Sequence, residues 1–179
     1  NSSHKEWLLK FIELGGISSL SSLLKDNVGS GIDSFDNNVF KLQHEFIGCF
    51  RGIMNNGFGM AKAIEDDDAI NSIVLCLNFS DLDLAEKVIE LVSVSCWYSI
   101  EGYDRVTAAM ERYQKFHQDP KPFFTMVNSL EKIESLDFKM KVLQFINTIV
   151  NKSPDLVDRC VLRNDFHALG TMEIYNDTI

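Results

Sequence analysis

The sequence predicts an all-α fold: an armadillo-type right-handed superhelix of about three three-helix repeats followed by a partial fourth. Three observations lead to this prediction. Apolar residues recur at i, i+3, i+4 and i+7 along most of the 179 residues, which is the spacing of amphipathic helices. No stretch shows the sustained alternation that marks a strand between turn signals. The apolar pattern also recurs at a fixed distance along the chain, as it does in solenoids.

The repeat is clearest in three short helices that share one apolar spacing. Each set lies 53 residues after the one before it: Ile17, Leu20 and Leu24; Ile70, Ile73 and Leu77; and Phe123, Met126 and Leu130. Longer helices repeat with them at 41–56, 84–99 and 137–152, and helices at 58–65 and 103–116 complete the units. Stacked units of this kind share one core, and we expect the long third helices to line the concave face. An irregular helical bundle is the alternative.

We expect a single domain over 1–179, made of repeats at 5–56, 58–99 and 102–151 and a partial repeat at 154–179. Gly and Pro residues, which interrupt helices, mark most of the breaks. The expected breaks are Gly15-Gly16, 26–38, Gly57–Gly59, near Asp81, Gly102, Pro120–Pro122 and Ser153-Pro154. The polar stretch 26–38 is predicted to be a flexible surface loop, which explains a spacing longer than the usual repeat of about 40–47 residues.

The composition limits the kinds of partner. The chain has 17 Lys and Arg against 26 Asp and Glu, a formal net charge of −9. Binding to nucleic acid depends on cationic side chains, so we expect no nucleic-acid partner. No run of 18 apolar residues occurs, and the N-terminal residues lack the pattern of a signal peptide. We therefore expect no membrane insertion and an intracellular, cytoplasmic location.

Candidates for metal binding are weak. Cys49, Cys76, Cys96 and Cys160 form no CxxC pair, and we expect buried thiols rather than a zinc site or disulfides. The acidic run at 65–68 lacks the spacing of a calcium loop, and it is expected to cap the helix that follows.

Candidates for catalysis are equally weak. The four histidines are dispersed, without an HExxH motif, and no GxSxG or P-loop motif occurs. We expect no catalytic residue, no metal and no cofactor. A hydrolase, whose turnover would depend on a single His or Asp, is the enzymatic alternative.

Side chains near the ends of the long helices are the candidate binding residues. Asn55 and Asn56 follow the first long helix, and Asn147 lies within the third. Such an amide either ties down a neighbouring helix end or hydrogen-bonds the backbone of a ligand, and the sequence leaves both roles open. Aromatic residues, Trp97 among them, fit apolar helix faces, and we expect them in the core.

Four segments resemble one known family in the same order along the chain. They are EWLLKFIELGGISSLSSLL, KLQHEFIGCFRGIMNNGFGMAKAIEDDDAI, DRVTAAMERY and FKMKVLQFINTIV. The most specific matches are LQHEFIGC and MNNGFG within 42–59 and LQFINTI at 143–149. These segments are similar to the regulatory armadillo region of Diaphanous-related formins, also called the formin homology 3 or Diaphanous inhibitory domain. In that family a short GTPase-binding segment precedes this region and a dimerisation helix follows it.

The resemblance implies a regulatory switch with two partners. One is a GTP-bound Rho-family small GTPase, for which Asn55 and Asn56, with Met54 beside them, match the family's contact. Tyr103 is a further expected GTPase contact, although relatives often carry Asn there, before an acidic-Arg-Val step.

The other partner is the C-terminal autoregulatory segment of the same formin, an amphipathic helix with a basic tail. Leu143, Ile146 and Asn147, at i, i+3 and i+4, match the family's helix-binding patch. Release of the autoregulatory helix from this patch would relieve autoinhibition of actin filament nucleation and elongation. Actin is reached only through other domains of the full-length protein, at the actin cytoskeleton and cell cortex. An armadillo adaptor that binds peptides and no GTPase is the alternative.

Overall fold

The computed structural model describes residues 2–31 and 37–171, within which every regular element is a helix. The helices are α1 (Ser2–Glu13), α2 (Gly16–Gly31), α3 (Asn37–Met54), α4 (Gly57–Glu65), α5 (Ala69–Leu75), α6 (Leu82–Tyr98), α7 (Ile100–His117), α8 (Phe124–Lys132), α9 (Leu136–Lys152) and α10 (Leu156–Ala168). The predicted all-α class is confirmed.

The helices form three successive trios, α1–α3, α4–α6 and α7–α9, and α10 begins a fourth unit. Equivalent helices of neighbouring trios stack on one another: α3 packs on α6, α6 packs on α9, and α2 packs on α5. The largest fully buried side chains include Phe50 of α3 and Phe138 and Phe145 of α9. The core therefore runs continuously from one trio to the next, as stacking of incomplete units requires.

Polar caps define where the helices begin. The side chains of Asp81, Ser99, Ser135 and Asp155 each accept a hydrogen bond from a backbone N–H in the first turn of α6, α7, α9 and α10, respectively. Each cap satisfies a donor that has no partner within its helix. The caps fix the junctions between consecutive helices, and the candidate site lies at the α6–α7 junction and at the α3–α4 junction, where Asn56 caps α4 in the same way.

Glycine lets the first helix of a trio pack closely against the third helix of the preceding trio, at α4 on α3 and at α7 on α6. Gly59 of α4 and Gly102 of α7 each lie three residues after a cap. A Cβ on Gly59 would overlap the carbonyl oxygen of Ile53, and one on Gly102 would overlap that of Ser95. The corresponding residue of α10 is Asp158. Gly102 therefore lies inside a helix and not at a break, which corrects the sequence-based expectation.

The predicted loop at 26–38 is wrong at both ends. Helix α2 continues to Gly31, and α3 begins at Asn37. Leu24 and Val28 are both buried, so the apolar face of α2 extends past the polar residues between them. Packing of that face outweighs the low helix propensity of the glycines. The rest of this prediction, at 32–36, and the predicted end of the fourth repeat, at 172–179, lie outside the described residues.

The acidic run caps a helix, as predicted, but through one carboxylate. Asp66 Oδ1 accepts hydrogen bonds from the backbone N–H groups of Asp68 (3.1 Å) and Ala69 (2.9 Å). Asp66 also accepts from the hydroxyls of Ser18 and Ser21 on α2, at 2.6 and 3.2 Å. This carboxylate thus joins the first two trios.

The four thiols fall into two classes, whereas the sequence predicted that all would be buried. Cys76 and Cys96 are buried, but Cys49 and Cys160 are exposed because they lie on the outer faces of α3 and α10. Burial raises the pKa of the Cys76 and Cys96 thiols to about 12. Since the thiolate is the reactive form, these two thiols have almost no reactive fraction near neutral pH.

We expect a thiol reagent such as DTNB to modify two cysteines of the native chain at pH 8 and all four after denaturation. Mass spectrometry after a short reaction should place the first two modifications on Cys49 and Cys160. Rapid modification of Cys76 or Cys96 in the folded chain would contradict the packing of α5 and α6.

No single helix in the described part of the chain is long and apolar enough to cross a membrane. Residues 6–13 and 16–29 meet the length and composition criteria only when taken together, and the two helices are bent by 66° at the break between them.

Candidate functional site

The α3–α4 junction holds three of the predicted site residues in different environments. Met54 is buried in the core. Asn56 caps α4: its Oδ1 accepts from the backbone N–H of Gly59 at 2.9 Å, and its Nδ2 donates to the carbonyl of Ile53 at 3.0 Å. Asn55 is exposed, and its side chain makes no hydrogen bond within the described residues. Asn56 therefore ties two helix ends together, and Asn55 is the exposed amide whose hydrogen-bonding groups are unused within the described residues.

Exposed apolar side chains lie at the α3–α4 junction, which contains Asn55, and at the neighbouring α6–α7 junction. Phe58 lies in the first turn of α4, while Tyr98 and Ile100 flank the α6–α7 junction; each is between 43% and 48% exposed. The Tyr98 hydroxyl donates to the carbonyl of Gly57 at 2.9 Å, which joins the two junctions. We name Asn55, Phe58, Tyr98 and Ile100 the junction edge. Aromatic and aliphatic side chains around a polar group are common at the centre of protein–protein interfaces.

The structure does not bring Tyr103 to the junction edge. Tyr103 lies in the first turn of α7, where its side chain is 9% exposed. It lines a cavity between α7 and α10, whereas α4 packs on α7 from the preceding trio. The predicted GTPase-binding residues are therefore divided between two locations, because successive positions on α7 face opposite neighbours.

A groove between α6 and α9 contains the most exposed aromatic residue of the described chain. Trp97 is 66% exposed, and the Nζ of Lys152 lies 3.4 Å from its ring centroid. The groove, about 340 Å³, is also lined by Val94, Gln144 and Thr148. The prediction that Trp97 belongs to the core is therefore wrong. Its helical phase could have revealed this, since Trp97 lies on the same face of α6 as Val94 and the charged Glu90.

The three predicted helix-binding residues lie together on α9 but differ in exposure. Leu143, Ile146 and Asn147 line a crevice of about 390 Å³ between α9 and α10. Asn147 is exposed and also borders the groove beside Trp97. Leu143 is partly buried, and Ile146, which is 9% exposed, belongs to the hydrophobic core.

Comparison with the preceding trio shows which of the apolar residues Leu143 and Ile146 occupies a core position of the repeat. The residues 54 positions before Leu143 and Val150 are Ile89 and Cys96, and each is only 1% exposed because α9 packs on α6. Leu143 and Val150 are partly buried and pack against the core. Ile146 corresponds to the fully buried Val92. Ile146 is thus a core position in the repeat.

The described residues include no group of three or more His, Cys, Asp or Glu side chains placed to hold a metal ion. The charged groups near the grooves instead form ion pairs between trios. Arg51 of α3 pairs with Glu90 of α6 at 3.3 Å, and Lys141 of α9 pairs with Glu86 of α6 at 2.6 Å. Such partly exposed pairs contribute little stability each.

The capping role of Asn56 leads to a stability prediction. We expect Asn56→Ala to destabilise the chain by about 1–2 kcal/mol, because the first turn of α4 loses its cap and the Ile53 carbonyl loses a donor. Asn55→Ala should leave stability unchanged. Urea denaturation of both variants checks this, and an equal loss in the two would contradict the distinction between them.

The comparisons with known proteins all lead to one family. Residues 1–97 match the family model of the Diaphanous GTPase-binding domain, and residues 103–178 match that of the Diaphanous FH3 domain. The GTPase-binding model therefore covers α1–α6, whereas the sequence resemblance placed such a segment before this region. Neither model is that of an enzyme.

Similar curated proteins include three formins. Inverted formin-2 of Xenopus laevis is 27% identical over 173 residues, covering 97% of this chain and 16% of the relative. Formin-A of Dictyostelium discoideum is 29% identical over 177 residues, covering 94% and 14%. Human Disheveled-associated activator of morphogenesis 1 is 25% identical over 176 residues, covering 94% and 16%. The chain thus spans about a sixth of the length of these relatives or less.

The E. histolytica Formin1 structure, solved bound to EhRho1-GTPgammaS, has a TM-score of 0.79 to this chain at 17% identity, covering 96% of this chain and 59% of that one. This likeness confirms the predicted armadillo-type fold. One family model matches more than half of this chain, and the similar proteins are formins. The chain therefore belongs to the Diaphanous-related formins, and its two matches are to the GTPase-binding and FH3 domains of their regulatory region.

Proposed function

We propose that this chain is a regulatory binding region that recognises a GTP-bound Rho-family GTPase and holds the C-terminal autoregulatory helix of its own formin. The observation that carries the proposal is the match of the GTPase-binding model to 1–97, the part that contains Asn55 and Phe58. The chain acts by binding and not by catalysis, and it needs no cofactor. Actin is reached through other domains, in the cytoplasm at the actin cytoskeleton and cell cortex.

The junction edge is the proposed GTPase-binding surface. Asn55 offers an amide with both hydrogen-bonding groups unused within the described residues, and Phe58, Tyr98 and Ile100 supply apolar contacts. Met54, which is buried, and Asn56, which caps α4, hold this surface in place. Tyr103 belongs to the proposed contact only at its outer margin, on the far side of α7. The γ-phosphate orders the switch segments of small GTPases, so a surface that binds those segments distinguishes GTP from GDP.

The exposed side of α9 is the proposed site of the autoregulatory helix. A helix bound in a groove needs apolar anchors and polar contacts at helical spacing. Asn147 is the proposed polar contact, between Trp97 in the α6–α9 groove and Leu143 in the crevice beside α10. Ile146 contributes its exposed edge beside Leu143. The net charge of −9 favours approach of a basic tail.

The two proposed surfaces meet at the C-terminal end of α6. Trp97 lines the groove beside α9, and the next residue, Tyr98, is bonded through its hydroxyl to Gly57 at the junction edge. A GTPase on the edge and a helix in the groove would therefore contact adjacent residues. Each partner would lower the affinity of the other, and such coupling is reciprocal.

A competition experiment tests this switch. A fluorescent peptide of the C-terminal autoregulatory segment is bound to the chain, and a Rho-family GTPase is added in either nucleotide state. We expect the fluorescence anisotropy to fall with the GTPγS-loaded GTPase and not with the GDP-loaded form. In Asn55→Asp, the peptide should bind normally but resist displacement. Peptide binding that neither nucleotide form affects would contradict the switch and favour an armadillo adaptor.

A further inference from the structure

A cavity of about 290 Å³ between α7, the segment that precedes α8, and α10 lies apart from the junction edge and the α6–α9 groove. Its apolar wall is formed by Phe123, Leu162, Phe166 and Leu169. The ring of Phe123 packs on that of Phe166 with centroids 5.0 Å apart. The backbone of Phe123 is left-handed, with φ 66°, a conformation that bulky residues rarely adopt and that often marks functional sites.

The polar residues of the cavity are predominantly acidic. Glu111 of α7 and Asp158 and Asp165 of α10 line it, against a single cation, Lys121. Lys121 is separated from Asp165 by 3.5 Å and is half-exposed, so it neutralises the group only in part. An apolar wall with an excess of carboxylates suits a ligand that combines a methylene chain with a terminal cation.

Tyr103 provides an independent indication of a ligand. Its side chain is 9% exposed and lines the cavity, and its hydroxyl makes no hydrogen bond within the described residues. The oxygen is not among the buried polar atoms that lack a partner, so it faces open space and is available to a ligand. By contrast, the hydroxyl of Tyr113, on the same helix, donates to the carbonyl of Leu77 at 3.1 Å.

The repeat also indicates why the cavity occurs here. Gly59 and Gly102 lie three residues after the caps of α4 and α7, where they admit close approach to the preceding third helix. In α10 that position is Asp158, which has a side chain that lines the cavity. At the α9–α10 junction, the exposed carboxylate Asp158 thus occupies the position at which α4 and α7 have the glycine that close packing requires.

We propose that this cavity receives a basic side chain, arginine or lysine, from a partner polypeptide. The methylenes pack on Phe123 and Leu162, the cation lies among the carboxylates of Glu111, Asp158 and Asp165, and the Tyr103 hydroxyl accepts an N–H. Arginine is preferred, because its planar guanidinium can stack on an aromatic ring while donating to carboxylates. This site borders both surfaces proposed above, since Tyr103 also lies at the outer margin of the GTPase contact and Phe166 also lines the α9–α10 crevice.

The test uses the full chain, labelled with ¹⁵N, and two blocked pentapeptides, acetyl-Gly-Gly-Arg-Gly-Gly-amide and the same peptide with norleucine. We expect the arginine peptide to shift the amide signals of Thr107, Asp158 and Leu162 with a Kd of about 1 mM, the range of a single-side-chain contact. The norleucine peptide should bind at least tenfold more weakly. Equal shifts from both peptides, or none at 10 mM of the arginine peptide, would overturn the proposal.

Variants locate the site. Glu111→Gln combined with Asp165→Asn should weaken the arginine peptide at least fivefold, and Tyr103→Phe should weaken it two- to threefold. Asp104→Asn removes an exposed carboxylate of α7 outside the cavity and should leave binding unchanged. Melting temperatures show whether each variant is folded. Weakening by Asp104→Asn equal to that by the double change would mean that general charge, and not the cavity, holds the peptide, which contradicts the proposal.

Discussion

Replacing Ile146 with aspartate is expected to unfold much of the third trio, and not merely to remove one binding contact. Ile146 is 9% exposed and corresponds to the fully buried Val92 of the preceding trio. A carboxylate there would be buried without a cation to receive it, at a cost of several kcal/mol. For a chain of this size that lowers the melting temperature by about 10 °C or more, which circular dichroism would detect.

Asn147→Asp is the matched control, because it places the same charge on the next residue, where the side chain is exposed. It should leave the melting temperature unchanged and weaken binding of the autoregulatory peptide. If Ile146→Asp instead kept the native melting temperature and lost the peptide, Ile146 would project into the groove, as the sequence pattern alone suggested. That result would contradict the assignment of Ile146 to the core.

Replacing Phe58 with alanine is expected to reduce affinity for the active GTPase about thirtyfold, while the chain stays folded. Aromatic anchors near the centre of an interface often contribute about 2 kcal/mol or more. Phe58 is 43% exposed beside Asn55, so its loss removes interface contact and little core. Calorimetric titration of the variant with the GTPγS-loaded GTPase would measure this loss.

Phe116 offers a matched control for Phe58. It is 44% exposed, but it lies in the last turn of α7, away from the junction edge. Phe116→Ala should bind the GTPase with native affinity. Native binding by Phe58→Ala together with weakened binding by Phe116→Ala would move the GTPase to the other end of α7.

Most of the architecture could be predicted because it repeats. The apolar spacing recurs three times, and the long helices α3, α6 and α9 begin one to four residues before their predicted starts. The failure at 26–38 has a local cause. Glycines and polar residues indicated a loop, but Val28 continues the buried face of Leu24, and tertiary packing decided the outcome.

The site was harder to predict because it depends on which neighbour covers each helix face. Asn55 and Asn56 are adjacent, chemically identical and both exposed, yet only Asn56 caps α4. Leu143 is partly buried, whereas Ile89 at the equivalent position is 1% exposed because α9 covers α6. Spacing along one helix cannot distinguish such cases. Trp97 differs from these cases, because its position on the same face of α6 as Val94 and Glu90 already indicated exposure.

Isothermal titration calorimetry of the chain against one Rho-family GTPase in its two nucleotide states tests most directly whether the junction edge recognises an active GTPase. We expect the GTPγS-loaded form to bind at least a hundredfold more tightly than the GDP-loaded form. Asn55→Asp should abolish this difference by weakening the GTPγS-loaded form alone. Equal affinity of the chain for the two forms would contradict the proposal that this region is a nucleotide-dependent switch.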